Sequence, residues 1–215
     1  MGRPNLVIII PAKNEAKTVG KIIKYSIKFG DVVVIDDASK DGTDQICAKN
    51  GAKLLKNKKS LFYDGSLNKG FSFAKRRKYK FIITLDADGE HDLKMVPIFL
   101  KHLKAGNDLI LGKRKVLPRL SEKIISYYYK KKFNVSDLYC GMKGYNAKWI
   151  NHFKVFDRFG SIGTDLATRI IQSQKSAYKE INVKIYKRKD KPRIGKPFFA
   201  DLKIFKSFFL NLIIN

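Results

Sequence analysis

Phe81-Ile82-Ile83-Thr84-Leu85-Asp86-Ala87-Asp88-Gly89-Glu90 is the stretch on which the reading of this chain turns. Its first five residues are apolar or β-branched, and the run is short enough for a buried strand. It stops at two carboxylates spaced i, i+2, followed by a glycine and a third carboxylate. In open α/β sheets ligands collect in the crevice at the carboxyl ends of strands, so acids placed there face a ligand. Carboxylates this close repel one another unless a cation lies between them, and hard oxygen ligands suit Mg2+ or Mn2+. The same residues also read as a solvated acidic turn ahead of a helix. Asp-x-Asp alone does not separate the two.

The flanking segments argue for the first reading. Leu6-Val7-Ile8-Ile9-Ile10 is a continuous apolar run, as in a parallel strand covered on both faces. Pro11 ends it, and Pro11-Ala12-Lys13-Asn14-Glu15 forms the loop at its carboxyl end. Residues 16–29 carry helical spacing, with Val19, Ile22, Ile23 and Ile27 on one face and Gly30 as the stop. Val32-Val33-Val34-Ile35 is a second strand that also ends in acids, Asp36 and Asp37, before Ala38 and Ser39. Asp41-Gly42-Thr43 reads as a turn, with Thr43 as N-cap of the next helix. Ala52-Lys53-Leu54-Leu55 gives a third strand, and a polar loop through Ser66-Leu67-Asn68-Lys69-Gly70 opens a helix over 71–77. A helix over 92–104 and a strand at Asp108-Leu109-Ile110-Leu111-Gly112 follow. This rhythm predicts an α/β fold: a mostly parallel central sheet with helices on both faces.

The second half changes character. Residues 121–132 look helical, and Tyr127, Tyr128 and Tyr129 read as packing plus an interfacial belt rather than a stacking platform. Gly141 and Gly144 bracket a short strand, Asn146 caps a helix from Ala147, and Gly163-Thr164-Asp165 opens another. Ile181, Val183 and Ile185 alternate as a strand with one solvated face. Asp165 is either a first-turn acid favoured by the helix dipole or the one candidate base for a hydroxyl substrate. His91 reads as a solvated histidine at a helix start, with metal contact as its alternative.

Composition narrows the class. A net charge of +26 points to an anionic partner: nucleic acid, an anionic membrane surface or phosphorylated substrates. General lysine enrichment of the hyperthermophile kind is an alternative source of part of it. Apolar residues at 44%, aromatics at 12%, exclude a disordered chain. Cys47 and Cys140 lie far apart with no ligand-like neighbours, as expected of reduced cytosolic thiols rather than a zinc site. No signal peptide precedes Leu6 and no apolar run reaches the roughly 18 residues of a spanning helix, so a cytoplasmic location is expected. Neither a GxGxxG fingerprint nor a Walker A loop is present. A bound nucleotide would therefore be read by the acids and backbone of the first two strand ends, its diphosphate reaching a cation at Asp86 and Asp88.

Val7 to Glu15, the run Val33 to Thr43, Asn68-Lys69-Gly70 and Leu85-Asp86-Ala87-Asp88-Gly89 resemble the family 2 glycosyltransferases of GT-A fold. More narrowly they look like the dolichyl- and polyprenyl-phosphate sugar transferases, and Leu111-Gly112-Lys113-Arg114, Asp137 to Gly144 and Val183 to Arg188 agree in order. The resemblance implies inverting transfer of a sugar from a nucleotide diphosphate sugar to a polyprenyl phosphate, with Mg2+ or Mn2+. It implies donor contacts at Pro11, Ala12, Asn14, Glu15, Asp36, Asp37, Ser39, Lys69, Asp86 and Ala87. Asp86, Asp88 and Glu90 would hold the metal, with Glu90 standing where the family usually has glutamine and Lys13 where it commonly has an aromatic. Arg114, Arg119, Ser121, Asp137 and Arg188 would bind the acceptor, with Arg114 and Arg188 neutralising its phosphate. The expected organisation is a GT-A unit over 1–199, divided into a donor half (1–112) and an acceptor half (113–199), then an amphipathic helix over 200–215.

Three other readings compete. A transferase acting on a saccharide or protein hydroxyl is the near one. A nucleic-acid-binding module fits the charge, but acids at the predicted ligand edge would repel a phosphate backbone, so no nucleic acid is expected. A nucleotidyltransferase lacks its glycine-rich pyrophosphate loop. The terminal helix, about 24 Å long at about 1.5 Å per residue, is too short for a roughly 30 Å hydrocarbon core. Leu202, Phe205, Phe209, Leu212 and Ile213 suit interfacial burial, with Lys203 and Lys206 nearer the headgroups. A peripheral position on the cytoplasmic membrane face is the expectation, and packing of this helix on the sheet is the alternative.

Overall fold

The structure is a computed structural model that describes residues 5–186 and 197–214. The chain runs β1 (Leu6–Ala12), α1 (Val19–Ser26), β2 (Asp31–Asp36), α2 (Thr43–Lys49), β3 (Lys53–Lys56), α3 (Phe62–Arg76) and β4 (Phe81–Thr84). It continues through α4 (Met95–Lys104), β5 (Leu109–Lys113), α5 (Leu120–Phe133), β6 (Lys143–Asn146), α6 (Lys148–Phe153), α7 (Asp165–Gln172), β7 (Tyr178–Asn182) and α8 (Pro197–Ile214). Seven strands form one sheet in the order β3-β2-β1-β4-β6-β5-β7. Every pairing is parallel except those of β6, which runs antiparallel to both β4 and β5. Lys143 pairs with Thr84 and Leu111, so the chain re-enters the sheet at the edge where β4 and β5 end.

β1 is buried along its whole length because it lies between β2 and β4 with helices on both sides. Its odd residues Val7 and Ile9 join a core with α3, α5, α6, α7 and α8. Leu6, Ile8 and Ile10 join a second core with α1, α2 and α4. The side-chain period of two divides one apolar run between two faces, as a doubly covered strand requires.

The structure revises the predicted elements in three places. α3 begins at Phe62, and Ser66-Leu67-Asn68-Lys69-Gly70 is helix rather than an opening loop. The polar residues there have tertiary partners: Asn57 donates to Ser66 Oγ at 3.3 Å, and Asn68 donates to the Asp157 carbonyl at 2.9 Å. Gly70 is needed inside the helix, because a Cβ would lie 2.6 Å from Ile9 Cγ2 and hold α3 off the sheet. Gly42, at φ +85°, caps α2, while Thr43 is its first residue and accepts the Glu15 N–H at 2.8 Å. β7 begins at Tyr178, earlier than the Ile181 alternation implies, and Ile185 forms only an isolated bridge to His91.

The terminal helix is covered on one side by α5 rather than by the sheet and leaves apolar residues exposed on the other. α8 packs on α5, with Ile204 buried and Phe208 edge-on to Tyr128 and Tyr129. Its polar residues Ser207 and Asn211 lie on the covered side, whereas Leu202, Phe209, Leu212 and Ile213 face outward, Ile213 at 79% exposure. Tyr129 is core, and Tyr127 is exposed. Among the described residues no helix is long and apolar enough to cross a membrane.

Candidate active site

The carboxyl ends of β1, β2 and β4 converge on one edge, and side chain to backbone hydrogen bonds fix their loops to one another. Asn14, at φ +51°, donates its N–H to Ser39 Oγ at 2.8 Å and accepts the Lys40 N–H on Oδ1 at 2.8 Å. Asp37 donates its N–H to the Ala12 carbonyl at 2.8 Å, and Asp36 accepts the Ser39 N–H at 3.2 Å. Of the expected donor residues, Pro11, Ala12, Asn14, Glu15, Asp36, Asp37 and Ser39 thus form one rigid corner.

Asp37 does more inside the protein than its sequence position suggests. Its carboxylate accepts Asn57 Nδ2 at 2.9 Å, Ser60 Oγ at 2.5 Å and the Leu61 N–H at 2.7 Å. Burial pushes its pKa up, but these three hydrogen bonds and the nearby Lys13 ammonium outweigh that and hold it below the usual carboxylate value. Lys69 Nζ points the same way, donating to the Lys56 carbonyl at 2.6 Å and Asn57 Oδ1 at 2.8 Å.

Asp86 stands at the end of β4. Its Oδ1 accepts the Tyr63 hydroxyl at 3.0 Å, and its backbone N–H points at His91 Nδ1 at 3.3 Å. A backbone N–H can only donate, so Nδ1 accepts it, and the Nε2 side of the ring lies 3.6 Å from Asp86 Oδ2. His91 is therefore buried beneath the acidic loop, not a solvated histidine as expected. Ala87 O accepts Thr18 Oγ1 at 2.6 Å, and Asp88 Oδ1 accepts the Glu90 N–H at 3.1 Å across Gly89, at φ +81°. Gly141 covers the other side, where any Cβ would overlap the Asp86 carboxylate. Thr84 Oγ1 ties that strand in, donating to the Gly141 carbonyl at 2.7 Å.

Among the described residues no three His, Cys, Asp or Glu side chains are grouped to hold a metal ion. The expected trio Asp86, Asp88 and Glu90 is not a preformed cage. One or two carboxylates acting together with oxygen atoms of a phosphorylated substrate are nevertheless the usual protein share of a Mg2+ site.

Arg114 follows β5, on the same edge of the sheet as this loop, with β6 between β4 and β5. Its Nε and Nη2 grip Asp137 at 2.7 and 2.9 Å, and Nη2 also reaches Glu122 at 2.8 Å. Burial disfavours its charge, but the two carboxylates outweigh that and raise its pKa further. Arg119 approaches Glu122 at 3.5 Å, so both arginines gather at the start of α5. Asp137 then accepts the N–H groups of Tyr139 and Cys140, each at 3.1 Å, which links Arg114 to the segment that clasps Asp86.

Other expected site residues lie elsewhere. Ser121 is buried and hydrogen-bonds Asp201 of α8. Asp165 has no exposed surface; Arg158 chelates it at 3.0 and 2.9 Å and Arg169 bonds it at 3.1 Å. That is an enclosed ion-pair network rather than a base open to substrate. Arg188 lies outside the described residues.

Sequence reasoning missed Tyr63, Thr18, Asn57, Gly141 and Lys143. Lys143 is buried on β6, donates to the Cys140 carbonyl at 2.7 Å, and has its pKa lowered by burial despite neighbouring Cys140, Asp137 and Asp86. Nothing in the sequence marks it among 45 basic residues. Tyr63 was hidden by the late start assigned to α3.

Comparisons with known proteins agree with this geometry. An uncharacterized protein of Methanocaldococcus jannaschii is 32% identical over 176 residues, 72% of this chain and 77% of that protein. The undecaprenyl-phosphate mannosyltransferase of Micrococcus luteus is 30% identical over 120 residues, 52% of this chain and 49% of its own length. The chain thus spans about half the length of that characterised relative. In structure it resembles glucosyl-3-phosphoglycerate synthase from Mycobacterium tuberculosis in complex with Mn2+, UDP and glucosyl-3-phosphoglycerate, with a TM-score of 0.77 at 13% identity over 97% of this chain and 80% of that one. At that identity the likeness establishes the GT-A fold alone. Residues 7–153 match Glycosyl transferase family 2, and the chain belongs to that family.

Proposed function

We propose that this glycosyltransferase moves a sugar, with inversion, from a nucleoside diphosphate sugar to a polyprenyl phosphate at a membrane surface. The observation that carries the reading is the pair of strand ends on one edge of the sheet: acids after β4, an arginine pair after β5, linked through Asp137. One side suits a diphosphate, and the other suits a second phosphate.

On the donor side Pro11, Ala12, Asn14, Glu15, Asp36 and Ser39 line the nucleotide, while Asp37 and Lys69 brace the loop beneath it. Asp86 and Asp88 would hold Mg2+ or Mn2+, which when bound neutralises the diphosphate as it leaves. Tyr63, His91 and Gly141 keep the Asp86 carboxylate in one orientation. Glu90 stands close enough in sequence to contribute, although the three acids form no cage by themselves.

On the acceptor side a phosphate monoester has a second pKa near 6 and is already largely dianionic at neutral pH. It needs placement and charge neutralisation, not a base. Arg114 uses Nε and Nη2 on Asp137 and Glu122, and its Nη1 makes no hydrogen bond among the described residues, which leaves one edge of the fork for the phosphate. Arg119 adds a second cation, and Arg188 is proposed alongside them from its sequence position. A phosphate oxygen attacks the anomeric carbon, a new carbon–oxygen bond forms as the bond to the diphosphate breaks, and the nucleoside diphosphate departs with the electron pair. A single displacement inverts the anomeric centre. The enclosure of Asp165 favours this mechanism over a base-assisted hydroxyl acceptor.

The outward apolar side of α8 supports attachment to a membrane surface, with the excess positive charge attracting anionic lipid. The deciding experiment supplies a panel of labelled nucleotide sugars with polyprenyl phosphate vesicles and follows label into the lipid phase. Transfer only to saccharide or protein hydroxyls would overturn the acceptor assignment.

A further inference from the structure

We infer that Phe62 is the platform on which the nucleobase of the donor stacks. This rests on the nucleotide-sugar reading above. Phe62 opens α3 with φ +59°, a backbone conformation in which a bulky side chain is strained, and its side chain is 73% exposed. An aromatic ring held in water by an unfavourable backbone gains nothing in the free protein, and such strain gathers at ligand-binding positions.

Its place in the fold says which part of a ligand it would meet. The residues before it are fixed to β2: the Leu61 N–H and Ser60 Oγ both donate to Asp37, at 2.7 and 2.5 Å. The residue after it is fixed to β4, since the Tyr63 hydroxyl donates to Asp86 at 3.0 Å. Phe62 is thus strung between the two strand ends that a nucleoside diphosphate must bridge, with its phosphates toward Asp86 and its base toward β2. The other loops offer no ring, for residues 11–18 and 36–43 contain no aromatic side chain. Lys13, whose Nζ donates to Ser60 Oγ at 2.8 Å, brings a cation instead. Tyr63 is committed to Asp86, which leaves Phe62 as the free ring of this segment. Every nucleobase presents a π-face, so a single exposed ring serves any base and adds affinity without naming it.

Binding to the full chain tests this with nucleoside diphosphates and, as the base-free control, pyrophosphate, each with Mn2+. Phe62→Gly removes the ring and suits the positive φ, and Phe62→Trp keeps a stacking face and adds a fluorophore beside the single native tryptophan, Trp149. The expected result is nucleoside diphosphate affinity about tenfold weaker in Phe62→Gly, near native in Phe62→Trp, with emission of the latter quenched by nucleotide. Pyrophosphate affinity stays the same in all three. Nucleotide affinity within twofold of native in Phe62→Gly overturns the inference, and so does an equal loss for pyrophosphate, which would mean that the loop itself had moved. Loss of vesicle association with nucleotide binding intact also overturns it and makes Phe62 a membrane wedge. A native chain that binds no nucleoside diphosphate overturns the donor reading itself.

Discussion

Gly141 is where a single atom decides most. A methyl group there would overlap the Asp86 carboxylate, and the backbone is tied by Thr84, so the carboxylate must turn away. Gly141→Ala is expected to cut turnover by about a hundredfold or more while the melting temperature changes by a few degrees, since a 1 Å misplacement can cost about that much. Tyr63→Phe removes one hydrogen bond to the same carboxylate. It should lower turnover about tenfold while changing stability by about 1 kcal/mol, as steady-state assays and denaturant titration will show. Asp37 sets a pH effect. Its folded pKa lies below the unfolded value, so its contribution is present above that unfolded value, near 3.8, and is lost as pH falls through the folded one. Asp37→Asn should flatten the acid limb of the stability–pH curve, and an unchanged limb would assign acid sensitivity to other groups. Asp165→Asn should act chiefly on folding, because breaking a buried ion pair costs about 3–5 kcal/mol; turnover per folded molecule should survive. At this scale the acids were legible because each follows an apolar run that names its strand. Tyr63, Thr18 and Lys143 were not, since their roles come from partners 23, 69 and 3 residues away that only the fold selects.

Among the elements, α3 and α8 show where patterning misleads. Ser66, Asn68 and Gly70 look like a loop because their polarity and small size belong to contacts with Asn57, Asp157 and Ile9, not to solvent. β6 could not be assigned a direction from its residues, for strand polarity depends on which edge the chain enters. The apolar set of α8 was legible, yet the helix buries the opposite side, where Ile204 and Phe208 pack while Ser207 and Asn211 are covered. Deleting α8 would uncover α5 and confuse folding with docking. Replacing Leu202, Phe209 and Ile213 by serine leaves the covered side intact. That triple variant should melt with the native protein and lose most of its sedimentation with anionic vesicles; retained sedimentation would place the membrane contact elsewhere.

The whole molecule was legible as an α/β sheet with ligand chemistry on one edge, because the runs of β1, β2 and β4 end in acids or a proline-bounded loop at the same end. What composition could not tell is how a chain of net charge +26 places acids at its site, since charge count carries no position. The family match and the geometry make it a glycosyltransferase of GT-A fold. The linked strand ends at β4 and β5 are the basis for proposing a lipid phosphate as its acceptor. The most direct measurement is transfer of labelled sugar from a nucleotide sugar panel to polyprenyl phosphate in anionic vesicles, read in the organic phase with Mn2+, with excess chelator, and with Asp86→Ala. The expected result is lipid-phase label from at least one donor, abolished by chelator and by the substitution. Label that never leaves the aqueous phase, or transfer undiminished in chelator, would contradict it.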